Sequence, residues 1–120
     1  MSHEGRFAYE GLDRLLHEKA RLGIMTSLLT HPEGLVFGDL KRLCSLTDGN
    51  LSRHLQALNG AELIEIYKGT DRGRSQTLAR LSRHGRERFV AYVEELGRVL
   101  KDLQTESETS RDLGWAPGAT

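Results

Sequence analysis

The stretch Leu46 to Leu58, Leu-Thr-Asp-Gly-Asn-Leu-Ser-Arg-His-Leu-Gln-Ala-Leu, constrains this chain more than any other. Leu51, Leu55 and Leu58 recur at spacings of four and three, which puts them on one side of a helix. At about 100° per residue the opposite side carries Gly49, Asn50, Arg53, Gln56 and Ala57, with His54 at the boundary. Thr47 suits the N-cap, because its hydroxyl can accept from a free backbone N–H of the first turn, and Asp48 then meets the positive end of the helix dipole. The helix is expected to run to about Asn59, with Gly60 as a left-handed C-cap. A short helix that is apolar on one side and small, amidic and basic on the other must pack on a core while presenting its second face outward.

The neighbouring patterns supply that core. Leu12, Leu15, Leu16, Leu22, Ile24, Met25, Leu28 and Leu29 follow helical spacing, with a bend or break expected near His17 and Gly23. His31-Pro32-Glu33-Gly34 stops this helix. Leu35-Val36-Phe37 reads as a short strand, and Asp39 to Cys44 as a second helix with Leu40 and Leu43 facing inward. After the central helix, Leu63 to Lys68 alternates as a strand does, Gly69 to Ser75 reads as a turn-rich loop, and Gln76 to Leu81 as the return strand. Ser82 caps a last helix whose Phe89, Val93, Leu96, Leu100 and Leu103 form a heptad-like seam, with Tyr92 and Val99 alongside. Residues 1–10 read as an arm that docks through Phe7 and Tyr9, residues 11–103 as one domain, and residues 104–120, with Trp115-Ala116-Pro117-Gly118, as a flexible tail. The order helix, strand, helix, helix, strand, loop, strand, helix is that of a winged helix-turn-helix, mainly α with a small β-hairpin wing.

That fold assigns chemistry to the outward residues. A helix entering the major groove needs apolar anchors behind it and side chains that match base edges in front, Arg for guanine and Asn or Gln for adenine. Asn50, Arg53 and Gln56 are therefore the expected base readers. Thr47, Ser52 and His54 are expected at phosphates or, for His54, in packing. The wing segment Lys68-Gly69-Thr70-Asp71-Arg72-Gly73-Arg74-Ser75 places Lys68, Arg72 and Arg74 where flanking phosphate or a narrow minor groove would attract them. Seventeen Lys and Arg against seventeen Asp and Glu give no net charge, but the distribution is uneven. Residues 51–88 hold eight basic and four acidic side chains, whereas residues 89–120 hold three and six. Local potential, not the total, steers a phosphate backbone.

Leu46 through Leu58, Leu63-Ile64-Glu65, the basic wing and Leu81-Ser82-Arg83-His84-Gly85-Arg86 together resemble bacterial and archaeal winged-helix transcriptional regulators of the MarR/ArsR-like superfamily. The similarity is greatest to a small single-domain group with the motif Leu-Thr-Asp-Gly-Asn-Leu-Ser, here Leu46 to Ser52, and spans about residues 11–103. Leu12 to His17 and Arg21 to Met25 also match the opening of that group, while Ala79 stands where relatives often carry an aromatic residue. The resemblance implies a homodimer that binds a pseudo-palindromic operator in double-stranded DNA, expected to act as a repressor. Its interface is expected in the first and last helices, through Leu12, Leu15, Leu16, Phe89, Tyr92, Val93, Leu96, Val99, Leu100 and Leu103.

Other classes find less in the sequence. One cysteine and five scattered histidines, His3, His17, His31, His54 and His84, give no close ligand pair, so no metal and no cofactor is expected. No nucleophile–base pair, phosphate-binding glycine loop or paired carboxylates point to an enzyme. Cys44 reads as a small buried hydrophobe, with a thiol redox regulator as the alternative. A winged helix that serves only as a protein-interaction module is the other rival, which zero net charge favours. Any small-molecule effector is of unknown identity. His17 and Arg21, four apart, are expected on one helix face and Glu94 and Glu95 on a solvated one. With no apolar run long enough to span a bilayer, no signal-peptide core and one cysteine, a cytoplasmic location away from membranes is expected.

Overall fold

The computed structural model describes residues 4–112, with side chains described to residue 105. Helix α1 (Lys19–Leu29) leads through strand β1 (Leu35–Val36) to α2 (Phe37–Cys44) and α3 (Asp48–Gly60). Strands β2 (Ile64–Asp71) and β3 (Arg74–Leu81) form a hairpin, and α4 (Arg83–Asp112) closes the chain. The sheet is antiparallel in the order β1-β3-β2. This is the winged helix-turn-helix that the sequence pattern implies, with boundaries moved at several joints.

The first helix starts at Lys19, not at Leu12. Asp13 turns the preceding chain: its carboxylate accepts from the Leu15 amide at 2.9 Å, and its carbonyl accepts from Leu16 and His17 at 3.1 and 2.7 Å. The helical spacing of Leu12, Leu15 and Leu16 thus belongs to a compact turn. Glu18, in extended backbone, caps α1 by accepting from the Ala20 amide at 3.2 Å. His17 therefore precedes the helix and shares no face with Arg21. Gly23 lies within α1 without breaking it, where a Cβ would sit 3.7 Å from the Cys44 sulfur.

Phe37 opens α2 instead of extending β1. Leu40 of α2 is buried as expected, but Leu43 is exposed. Gly34 is required just upstream: its φ is +99°, and a Cβ would stand 2.8 Å from the Ala79 carbonyl. Ala79 is itself buried in the middle strand, opposite Leu35 on one side and Ile66 on the other, where a larger side chain would press on both neighbours.

Helices α2 and α3 end in the same way. Ser45 is left-handed (φ 53°), the Leu46 amide donates to the Lys41 carbonyl, and the Ser45 amide to that of Arg42. Glu62 is left-handed (φ 61°), the Leu63 amide donates to the Leu58 carbonyl, and the Glu62 amide to that of Asn59. Both are Schellman motifs built without glycine. Gly60 is accordingly not the left-handed cap but the last residue of α3, because the left-handed turn falls two residues beyond it, at Glu62, where it lets Leu63 bury with Leu58.

The core runs between α1, α3, the sheet and the base of α4, with Ile24, Met25, Leu28, Leu51, Leu58 and Leu63 fully buried. Ser82 caps α4, its hydroxyl accepting from the Gly85 amide at 2.9 Å. Gly85 meets the sheet so closely that a Cβ would lie 1.8 Å from the Leu63 carbonyl oxygen. At 30 residues α4 is about 45 Å long. It continues to Asp112 through the segment expected to be a tail, while Trp115 to Gly118 lie outside the described residues.

Residues 9–17 form a strap that runs antiparallel along α4. The Tyr9 hydroxyl donates to Asp102 at 2.9 Å, the Gly11 amide to Glu95 at 2.8 Å, and Arg88 pairs with Asp13. His17 Nδ1 meets the Tyr92 hydroxyl at 2.7 Å. Glu95 is thus no solvated residue; it is 6% exposed and holds the strap backbone.

Candidate nucleic-acid interface

Thr47 caps α3 as the sequence indicates: its hydroxyl accepts from the Asn50 amide at 3.2 Å. With Leu51, Leu55 and Leu58 buried, α3 turns Asn50, Ser52, Arg53, Gln56 and Asn59 outward, all of them exposed. Among the described residues the side chains of Asn50, Arg53 and Gln56 have no hydrogen-bond or ion-pair partner that competes for their donors and acceptors. His54 is the exception in the expected set. It is 5% exposed, turned inward against Arg21 and Glu18, and burial holds its pKa below the ordinary imidazole value. A side chain so enclosed cannot reach a phosphate, so packing is its role.

The wing is longer and tighter than its composition suggests. Pairing continues through Lys68↔Thr77, Gly69↔Gln76 and Thr70↔Ser75 to Asp71↔Arg74. Only Arg72 and Gly73 make the loop, with φ of 53° and 79°. Two consecutive positive φ values define the type I′ turn, whose twist matches that of the strands it joins. The segment expected as a turn-rich loop is therefore paired strand up to a two-residue turn, with Arg72 at its tip and Arg74 beside it, both exposed.

Helix and wing meet across an open cleft of about 270 Å³ lined by Ser52, Leu55, Gln56 and Asn59 of α3, Ile66, Lys68 and Thr77 of the wing, and Phe37 at its base. The structure thus brings Ser52 and Gln56 together with Lys68 on one concave surface. Arg53 and Asn50 stand on the open side of α3, and Arg72 and Arg74 stand further out on the wing.

The remaining basic residues of the 51–88 stretch are placed elsewhere. Strand alternation puts Arg80 on the sheet face opposite Lys68. There its guanidinium bonds Glu65 at 2.9 and 3.1 Å and the Tyr67 hydroxyl at 2.6 Å, lies 5.0 Å from the Tyr67 ring centroid, and holds the Glu65 carboxyl below the usual range. Arg83 pairs with Glu87 and Arg88 with Asp13.

Two cations that sequence reasoning passed over flank the α3 N-terminus from α2. Lys41 pairs with Asp48 at 2.8 Å and Arg42 with Asp39 at 3.0 Å, both at the surface, where such pairs contribute little and exchange readily. The available signal was positional, since the first helix of a helix-turn-helix crosses the nucleic-acid backbone.

The expected self-association residues divide into two groups. Leu16, Phe89 and Tyr92 are fully buried inside the protomer and have no surface to offer a partner. This corrects their assignment: Phe89 and Tyr92 stack at 6.0 Å as the core-facing side of α4. Leu12, Leu15, Leu96 and Val99 are half-buried, Leu12, Leu15 and Leu96 against the core. Val93, Leu100 and Leu103 are exposed, at 44%, 64% and 63%. Among the described residues no cluster of His, Cys, Asp and Glu is arranged to hold a metal, and no helix is long and apolar enough to cross a membrane. Cys44 is half-buried, its sulfur 3.7 Å from the Ser27 hydroxyl.

Comparison with known proteins bears on this geometry. The family model described as a winged helix DNA-binding domain matches residues 20–100. An uncharacterized protein of Methanocaldococcus jannaschii is 31% identical over 91 residues, covering 76% of this chain and 98% of that protein. The structure of a transcriptional regulator homologue from Pyrococcus horikoshii OT3 superposes with a TM-score of 0.70 at 28% identity, over 76% of this chain and 89% of that one. The S. aureus MepR–DNA complex shares the fold, with a TM-score of 0.64 at 17% identity over 92% of each chain.

Proposed function

The chain belongs to the winged helix DNA-binding domain family, and from that premise we propose that it is a sequence-specific transcriptional regulator that binds double-stranded DNA as a homodimer. One observation carries the reading: Ser52, Gln56 and Asn59 of α3 and Lys68 and Thr77 of the wing line a single concave surface, with exposed Asn50 and Arg53 on the same helix and exposed Arg72 and Arg74 at the end of the same hairpin. Helix α3 enters the major groove, where Arg53, Asn50 and Gln56 read base edges. Ser52 and Lys68 hold the phosphates that pass over the cleft, and Arg72 and Arg74 follow the adjacent backbone or minor groove. A relative of the same fold, MepR, has been solved as a DNA complex, which supports DNA as the partner of this surface.

The homodimer reading rests on α4. Val93, Leu100 and Leu103 lie along one side of a helix that extends past its last contacts with the body, and an exposed apolar stripe at heptad spacing favours a second copy of itself. Two copies related by a two-fold axis present two α3 helices to a pseudo-palindromic operator, and occupancy over a promoter represses by exclusion.

The test is selection from a random duplex pool at two salt concentrations, followed by sequencing. The reading requires an enriched two-fold motif with half-sites about one helical turn apart. Salt-sensitive binding without enrichment would make the protein a non-specific DNA coat. An absence of binding at low salt would leave the concave face to a protein partner.

A further inference from the structure

A continuous polar chain connects α4 to α3. Arg88 of α4 pairs with Asp13. Asp13 accepts from the Leu15 amide at 2.9 Å, and the Leu15 carbonyl accepts from Arg21 Nη1 at 3.3 Å. Arg21 Nε donates to His54 Nδ1 at 3.2 Å, and His54 belongs to α3, immediately after Arg53. Arg88–Asp13, Arg21–Leu15 and Arg21–His54 each join different segments, the Asp13–Leu15 bond lies within the strap, and His54 is the only buried polar side chain of α3.

The chemistry at His54 is definite. An arginine Nε always carries a proton, so the Nδ1 that receives it is a lone pair and the imidazole is neutral with its proton on Nε2. Glu18 Oε2 lies 3.4 Å from the same nitrogen and 3.7 Å from Arg21 Nε. A protonated imidazole would turn to Glu18 and release Arg21. The charged groups facing His54 are Glu18 and Arg21 from α1 and its cap, and Arg53 from its own helix. Burial opposes protonation, so the bond from Arg21 prevails near neutral pH.

Leu51, Leu55 and Leu58 bind α3 to the core, but apolar contact is non-directional and allows a helix to roll or slide by small amounts. Hydrogen bonds are directional. We propose that Arg21 is a positioning residue for DNA recognition: by donating to His54 and the Leu15 carbonyl together, it fixes the angle of α3 relative to α4 and so sets the separation of the two α3 helices in the dimer. The inference rests on the dimeric DNA-binding reading above.

The test compares wild type, Arg21→Met, which keeps the stem and loses the fork, and His54→Asn, whose amide oxygen can take the place of Nδ1 as acceptor. Each is titrated against the selected operator, against operators with one base pair added or removed between half-sites, and against an isolated half-site. Arg21→Met should bind the operator roughly 3- to 30-fold more weakly, the range of couplings carried by such networks. It should also lose wild type's preference among spacers while its half-site affinity and base preference stay unchanged. His54→Asn should keep the spacer preference. Wild type should lose that preference reversibly as pH falls below the ordinary imidazole value of 6.5 while staying above about 4, where Asp13 keeps its charge, and His54→Asn should not.

Unchanged spacer preference in Arg21→Met, or an equal loss on the half-site, overturns the proposal. If wild type binds no DNA, the DNA reading fails, and nitrogen NMR of the free protein decides the anchoring by itself. Nε2-protonated His54 with α3 amides that exchange faster in Arg21→Met supports the tether, and identical exchange removes it.

Discussion

Arg53 stands on the open side of α3 with no partner among the described residues, and the adjacent His54 is buried. Exposed and buried polar side chains of α3 thus fall on neighbouring residues. Arg53→Ala should lose roughly 1–3 kcal/mol of discrimination at one base position. Equal weakening on every sequence, in a binding assay over operator variants, would make it a phosphate contact. Glu62 presents a stability question. A side chain in left-handed backbone costs about 1–2 kcal/mol, and glycine returns part of that gain through the freedom it adds to the unfolded chain. Glu62→Gly should therefore be roughly 0.5–1 kcal/mol more stable, seen as a higher urea midpoint at constant slope. No gain would mean that the Glu62 side chain itself stabilises the turn. The Thr47 cap and the apolar side of α3 were legible because both depend on neighbours within a few residues. The inward turn of His54 and the burial of Glu95 were not, since their partners Arg21 and Gly11 lie 33 and 84 residues away in sequence. Gly60 misled because glycine is the usual left-handed residue, whereas the pairing of Leu58 with Leu63 chose the position.

At the scale of elements, order and type were readable from periodicity, and lengths were not. Gly69 and Gly73 made the wing look like a loop, yet cross-strand pairing carries β2 and β3 to within two residues of each other. The tip cations are therefore held at a fixed reach. Arg72→Ala with Arg74→Ala should reduce the slope of log affinity against log salt by about 2 and leave base preference intact, measured by titration at several ionic strengths. An unchanged slope would place the wing away from the phosphates. The strap was unreadable because its spacing mimics a helix. Its anchor Asp13 is held below the ordinary carboxyl range, first by its hydrogen bond from Arg88 and also by the Leu15 amide, against burial. A depressed carboxyl stabilises above its ordinary value of 3.8 and loses that contribution as pH falls through the lower folded value. Amide exchange of residues 12–17 should accordingly rise as wild type is acidified below about pH 4. Asp13→Asn should show fast exchange already at neutral pH and no further acid step. The same acid step in both proteins would assign it to another group.

At the scale of the whole molecule, zero net charge conceals a divided surface. Arg53 of α3 and Lys68, Arg72 and Arg74 of the wing are exposed on the two elements that frame the cleft, while Arg80, Arg83 and Arg88 are committed to carboxylates elsewhere. Pairing through α4 would double the first group on one side of the assembly. Leu100→Glu with Leu103→Glu changes only exposed positions, so the protomer should stay folded while sedimentation shows monomers and operator affinity falls by about 10²-fold or more. A dimer that survives both substitutions would place the interface elsewhere. The heptad seam was visible in the sequence, but its division into core and surface was not, because one helix serves both with adjacent faces. Arg88, Glu95 and Asp102, three of the α4 residues that grip the strap, are spaced at intervals of seven, two turns apart on one line. That line makes α4 a counting device. Letters between the grips can change freely where they face solvent, but the deletion of one residue turns everything beyond it by about 100°, freeing the strap and swinging the apolar stripe to another side of the helix in a single step.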